Sequence, residues 1–203
     1  GGVTMGMMSL RRRAMGGKKS LPYDAEIEYL ESTGTQYIDT GIRASGPISC
    51  EARMLFLDRR DTGFLEARSN DVRFYLLHNF LGWCLGYGNY FTSYVNYDNT
   101  SPHNIKSFLS KGLQYMEVDG VTILEKKLTD EYNPELNLYM FAQNLNGKAQ
   151  YHSKARLFSC KIGNVRDYIS ERIGTTGYIY DKVSGELFGN QGTGDFILGP
   201  DKN

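Results

Sequence analysis

The chain has 203 residues, enough for one large all-β domain with a substantial core. Lys and Arg together number 23, as do Asp and Glu, so the formal net charge is zero. That balance disfavours a nucleic-acid binder, whose domain usually carries a basic excess. The 15 Tyr, 10 Phe and 23 Gly stand against only 5 Pro, a composition that suits half-buried pleated surfaces joined by tight turns.

Along the chain, residues 1–20 read as a flexible basic leader: Arg11, Arg12, Arg13, Lys18 and Lys19 precede the first acid, Asp24. Leu21-Pro22 marks the start of a single domain over residues 21–203. No apolar run is long enough to span a membrane, and no signal-peptide core follows the basic residues. The run Tyr23 to Ile42 predicts a strand, a Gly-containing turn and a second strand. From there the period is short and mostly two. Val72, Phe74 and Leu76 alternate with Arg73, Tyr75 and Leu77; Leu136, Leu138 and Met140 alternate with Asn137, Tyr139 and Phe141; Ala155, Leu157 and Ser159 alternate with Arg156, Phe158 and Cys160. Turn signals fall between such runs at Asp119-Gly120, Asn146-Gly147, Gly163-Asn164 and Ser184-Gly185. The clearest hairpin has Met116 and Val118 leading into Asp119-Gly120, with Val121 and Ile123 leading out. Only Tyr168 to Arg172, and the stretch around Asp130, offer a helical turn. Many short strands without helices predict an antiparallel β-sandwich or barrel.

Cys50, Cys84 and Cys160 form an odd set without close spacing, so neither a disulfide framework nor a zinc site is predicted. The expectation is three buried thiols, made and folded in a reducing cytoplasm.

The runs EIEYLESTGTQYIDTGI, GLQYMEVDGVTI and GYIYDKVSGELFGNQGTGDFILGPD resemble an uncharacterised group of concanavalin A-like (LamG-type) jelly-roll proteins of gut bacteria and their phages and prophages. The resemblance extends from about Leu21 to Asp201, with a shorter loop at Lys161 to Arg166. It implies a β-sandwich jelly roll, with Tyr37 to Gly41 pairing near the C-terminal strand and Glu117 to Gly120 in a central hairpin. It implies glycan or protein-surface binding and transfers no catalytic residues. The expected role is therefore a non-enzymatic carbohydrate- or surface-binding module of a phage or prophage structural protein or a bacterial surface protein. Its expected partners are a glycan, a host or cell-surface protein, copies of itself or other virion proteins. The expected location is a virion, the extracellular space or a cell surface. A purely structural self-assembly module is the alternative, and a jelly-roll glycoside hydrolase comes third.

Several patterns bear on chemistry. Glu26, Glu28 and Glu31 approach the alternate-carboxylate strand of jelly-roll hydrolases, which need two carboxyl groups about 5 Å apart. The central Asp of that pattern is Glu here, and no Trp-rich cleft accompanies it, so solvent-facing acids on an outer strand are expected. Gly189 to Gly194 lacks the Lys and helix of a phosphate loop and reads as a turn. His78, His103 and His152 lack metal or triad spacing. Asp58 and Asp61, in a polar loop, are candidates for Ca²⁺. The stretch Phe80 to Asn99 holds the one Trp, Trp83, among aromatics and asparagines. Sugar rings lie on aromatic faces while amides pair with hydroxyls. Trp83 and most of these rings are expected in the core. The candidate ligand residues are Tyr87, Asn89, Tyr90, Asn96, Tyr97 and Asn99.

Overall fold

The computed structural model describes residues 20–91, 94–96 and 99–203. The expected basic leader, apart from Ser20, lies outside the described residues, as does Tyr97. The described chain is all strand and turn. In order, the strands are β1 (Ala25–Glu26), β2 (Leu30–Glu31), β3 (Ile38–Arg43), β4 (Ile48–Phe56), β5 (Thr62–Ser69), β6 (Val72–Asn79) and β7 (Trp83–Gly88). They continue with β8 (Tyr90–Phe91), β9 (His103–Ser110), β10 (Leu113–Val118), β11 (Val121–Lys126), β12 (Asn137–Met140) and β13 (Ala142–Leu145). The last six are β14 (Lys148–Gln150), β15 (Ala155–Ile162), β16 (Arg166–Ile173), β17 (Thr176–Asp181), β18 (Leu187–Phe188) and β19 (Ile197–Leu198).

The strands form two sheets, giving the expected sandwich. The larger runs β11-β10-β9-β4-β15-β16-β17-β18, with β1 on β16 and β2 between β15 and β19. The smaller runs β14-β13-β5-β6-β7-β8, with β12 joining β3 to β5. Pairing is antiparallel apart from the β13–β5 ladder. The period of two sends alternate side chains into one core. Cys50, Ala52, Met54 and Phe56 enter from β4, and Leu157, Cys160 and Ile162 from β15. Phe64, Phe74, Leu76, Leu85 and Tyr87 answer from the smaller sheet. Phe56 and Phe64 meet edge-to-face at 6.3 Å across the interface. Burying each such side chain contributes about 1.5–3 kcal/mol. The three cysteines are free and buried, as expected.

Turn chemistry sets the hairpins. Asp119 and Gly120 have φ of 50° and 82°, Asn146 and Gly147 51° and 89°. These positive pairs match the twist of the flanking strands. They set Val118 opposite Val121 and Leu145 opposite Lys148. Two expectations are corrected. Tyr168 to Arg172 is not a helical turn but the middle of β16, paired on one side with β17 and on the other with β15; flanking strands supply its hydrogen bonds, and Tyr168 is buried in the core. The strand that pairs with the C-terminal strand β19 is β2, not the later YIDTG run, whose β3 pairs with β12. The C-terminal segment reaches that run just ahead of β3, where the Gln191 amide donates to the Tyr37 carbonyl at 2.8 Å.

Candidate functional site

Three loops meet at one side of the smaller sheet. The first, Thr33 to Tyr37, is shaped by Gln36, whose fully buried amide works in both directions. Its Oε1 accepts from the Thr33 amide at 2.6 Å and the Thr33 hydroxyl at 3.0 Å. Its Nε2 donates to the Thr193 carbonyl at 3.0 Å. The second loop, Asn190 to Gly194, is thereby clamped to the first. The Thr35 hydroxyl donates to the Thr193 carbonyl at 2.7 Å, and the Thr193 amide donates to the Thr35 carbonyl at 3.1 Å. Asn190 Oδ1 accepts from the amides of Tyr37 and Gly192. The approach is so close at Gly192 that a Cβ there would lie 2.0 Å from the Thr35 carbonyl oxygen. The glycine-rich run is a turn, as expected, and only glycine fits its inner position.

The third loop is the β13–β14 hairpin and its exit, Gly147 to His152. The Gly63 amide donates to the Tyr151 carbonyl and the Ser153 amide to the Phe141 carbonyl, which fixes His152 between them. The His152 ring meets Tyr37 edge-on at 6.0 Å, and Tyr37 in turn packs on Tyr139 at 4.8 Å. Together Gly34, Thr35, Tyr37, Lys148, His152 and Thr193 face an open groove of about 490 Å³. Burial lowers the His152 pKa, favouring neutral imidazole, while burial and then the Asp39 carboxylate raise the Tyr37 phenol and keep it protonated. The lining thus offers two aromatic rings, the hydroxyl-bearing side chains of Thr35, Thr193 and Tyr37, and an ammonium. No carboxylate lines it.

A second groove, of about 350 Å³, runs over the outer face of the larger sheet. Glu51, Arg53, Lys106, Glu117, Lys161 and Asp167 line it with alternating charge and no aromatic ring. Lys106 pairs with Glu51 at 3.7 Å.

Of the ligand residues expected from the sequence, the described ones, Tyr87, Asn89, Tyr90, Asn96 and Asn99, line neither groove. Tyr87 is a correction. Alternation along β7 turns it inward with Leu85, and it is 2% exposed against Phe74 and Tyr132. Tyr90 is half-buried with the Lys126 ammonium 4.9 Å above its ring. Asn89 and Asn96 are exposed and Asn99 half-buried. Trp83 is in the core, as expected, bridged through its backbone to Val95. The acids near the N-terminus split up: Glu31 accepts from Arg156 Nε at 2.6 Å, Glu26 accepts from the Tyr23 hydroxyl, and Glu28 is exposed.

Asp58 and Asp61 hold protein groups. Asp58 Oδ2 accepts from Arg60 Nε at 2.6 Å. Asp61 Oδ1 lies 2.6 Å from His78 Nε2, whose Nδ1 lies 2.6 Å from Glu66 Oε1. Gln143 Nε2 donates to the other Glu66 oxygen at 2.7 Å. Burial pushes the His78 imidazole down, but carboxylates on both nitrogens outweigh it and lift its pKa to about 10. The polar chain fastens the 58–62 loop to the sheet. Among the described residues no three His, Cys, Asp or Glu side chains are grouped to hold a metal ion.

The groove residues were visible in the sequence only as parts of other patterns. Tyr37 stood in the YIDTG run, Thr193 in the glycine-rich turn, and His152 was an isolated histidine. No local spacing joins residues 35, 152 and 193; the clamp through Gln36 and Asn190 joins the first and last, and the Gly63–Tyr151 and Ser153–Phe141 bonds bring His152 to them.

No family model matches the chain, and no curated protein matches it in sequence. A solved structure is similar to it, that of a Bacteroides ovatus protein proposed to bind carbohydrate. The two align with a TM-score of 0.60 and 12% identity, over 88% of this chain and 61% of that one. At that identity the likeness speaks for the shared fold, and this chain spans less than two thirds of that protein's length.

Proposed function

We propose that this chain is a non-enzymatic carbohydrate-binding module and that its site is the groove formed by Gly34 to Tyr37, Gly147 to His152 and Gly192 to Thr193. The observation that carries this reading is the lining itself: the rings of Tyr37 and His152 beside the hydroxyls of Thr35 and Thr193. Aromatic faces accept the C–H surface of a pyranose, and hydroxyl and imidazole groups exchange hydrogen bonds with its hydroxyls. Glycosidic hydrolysis by the usual route needs two carboxyl groups across the substrate, and this lining has none, which favours binding over cleavage. The carbohydrate-binding role proposed for the Bacteroides ovatus protein of the same fold agrees with it. The setting we propose is a bacterial surface or a phage or prophage particle, on the resemblance of its sequence runs.

A glycan array probed with the full chain tests this. Saturable binding is expected, and Tyr37→Ala should weaken it at least tenfold, about 1.4 kcal/mol, without lowering the melting temperature by more than a few degrees. Because Asp58 and Asp61 hold Arg60 and His78, binding is expected to persist in EDTA. Array silence, or binding that Tyr37→Ala leaves intact, would remove the groove as the site.

A second reading, self-assembly, has one observation behind it. Phe80, Leu81 and Tyr94 are each nearly half exposed, and Phe80 and Tyr94 meet edge-to-face at 6.3 Å. A mass that rises with concentration in light scattering, and that Phe80→Ser restores to the monomer value, is the outcome that reading requires.

A further inference from the structure

We infer that the groove takes an acidic sugar, a glycan unit bearing a carboxylate or sulfate. This rests on the groove being a glycan site at all. It adds the charge of the ligand, which the surrounding side chains specify.

Three cations gather around the first loop. Lys148 lines the groove directly. At Gly34 a Cβ would stand 3.4 Å from Lys154 Cε and 3.6 Å from Arg60 Nη2, so both side chains lie against the backbone of that turn. Gly34 has φ of 103°, a conformation that glycine adopts without strain, and its missing side chain leaves room for those two chains to approach. The backbone amides of Gly34 and Thr35 donate to no acceptor within the described residues. Unengaged amides beside cations are what an oxyanion needs.

Asp58 neutralises Arg60, so Lys148 and Lys154 are the two of the three cations without an ion pair among the described residues. Asp58 accepts from Arg60 Nε, which leaves the Nη2 end of that guanidinium toward Gly34. Asp39, whose charge reaches Tyr37, stays outside the lining with its Oδ1 held by the Gly41 amide at 2.9 Å and Asn137 Nδ2 at 3.2 Å. No carboxylate lines the groove to offset Lys148, and Lys154 lies beside it at Gly34, although the whole chain is neutral. The local field is set by which loops the fold brings together, and the same neutral composition yields alternating charge in the groove over the larger sheet. A neutral sugar would fit the rings and hydroxyls but leave the amides and ammonium groups unmatched.

Paired probes that differ only in charge test this: polygalacturonate against its methyl ester, and dextran sulfate against dextran, by isothermal titration with the full chain. Tighter binding of at least one acidic member, tenfold or more over its neutral partner, supports the inference, and which pair responds tells carboxylate from sulfate. That preference should shrink severalfold between 50 and 300 mM salt, and the double variant Lys148→Gln, Lys154→Gln should erase it with the fold intact by circular dichroism. Lys161→Gln, on the other sheet, should leave it unchanged; an equal loss there would mean general attraction to surface charge and would overturn the inference. Equal binding of charged and neutral partners that Tyr37→Ala abolishes would overturn the acidic preference and keep the glycan site. Binding to either partner that ignores Tyr37→Ala and the double lysine variant would overturn both.

Discussion

At Glu171 a carboxyl group is fully enclosed with neither oxygen hydrogen-bonded. Burial, helped by the neighbouring Asp24 carboxylate, raises its pKa from 4.5 to about 8. A carboxyl whose pKa is higher in the folded state binds more protons there, so its stabilising contribution is complete below pH 4.5 and disappears as pH rises through about 8. His78 behaves in the same sense at a higher range, complete below 6.5 and lost through about 10. Urea midpoints should therefore fall from pH 5 to pH 10 in two stages. Glu171→Gln, neutral and of the same shape, should shrink the first stage, to which Glu66, also raised by burial, contributes in the same sense. His78→Gln leaves Glu66 buried without its imidazolium partner and should cost about 3–5 kcal/mol at pH 7, read in the same titrations. Neither residue is marked in the sequence, since a Glu and a His at strand positions look like any others until the fold encloses them.

The β13–β14 hairpin shows how much an element can reveal by itself. Asn146-Gly147 is a turn signal with a local mechanism, two left-handed residues in a row, and it was legible without any tertiary information. The same holds for Asp119-Gly120. Gly147→Ala is expected to cost about 1 kcal/mol, lowering the melting temperature by about 2–4 °C, because φ of 89° suits a side chain poorly although no atom lies within 4 Å of the added Cβ. It should also weaken glycan binding by displacing Lys148, the next residue. Gly192→Ala has the opposite cause, contact rather than backbone strain: the Cβ meets the Thr35 carbonyl, so the clamp must open. We expect a loss of about 2 kcal/mol in thermal unfolding, together with loss of binding. What the hairpin signal could not convey was which loop lies opposite, because Gly147 to His152 reaches Tyr37 across more than a hundred residues of chain. The helical turn expected at Tyr168 to Arg172 failed for a related reason: flanking strands β15 and β17, not its own sequence, supply the hydrogen bonds of β16.

For the whole molecule, the two ends of the described chain close the structure on each other. Ile27 bridges Asp201, Leu30 pairs with Leu198, and Phe196 packs on Phe141 at 5.2 Å in the core. Removing residues 196–203 should strip β2 of one partner and empty a core position, lowering the thermal midpoint in a single transition while leaving the β10–β11 hairpin sequence untouched. The sequence by itself determined the all-β class, the principal turns and the burial of the cysteines, because period-two alternation and left-handed turn residues act over a few neighbours. It placed the aromatic–asparagine stretch around Tyr87 and Tyr90 on the ligand side, where alternation left two faces open and only packing could choose between them; the core took Tyr87. Which strands pair, which carboxyl is enclosed and which cations surround Gly34 were decided by the tertiary structure. Those are contacts between residues far apart in the chain, and their energy exists only once the sheets have closed.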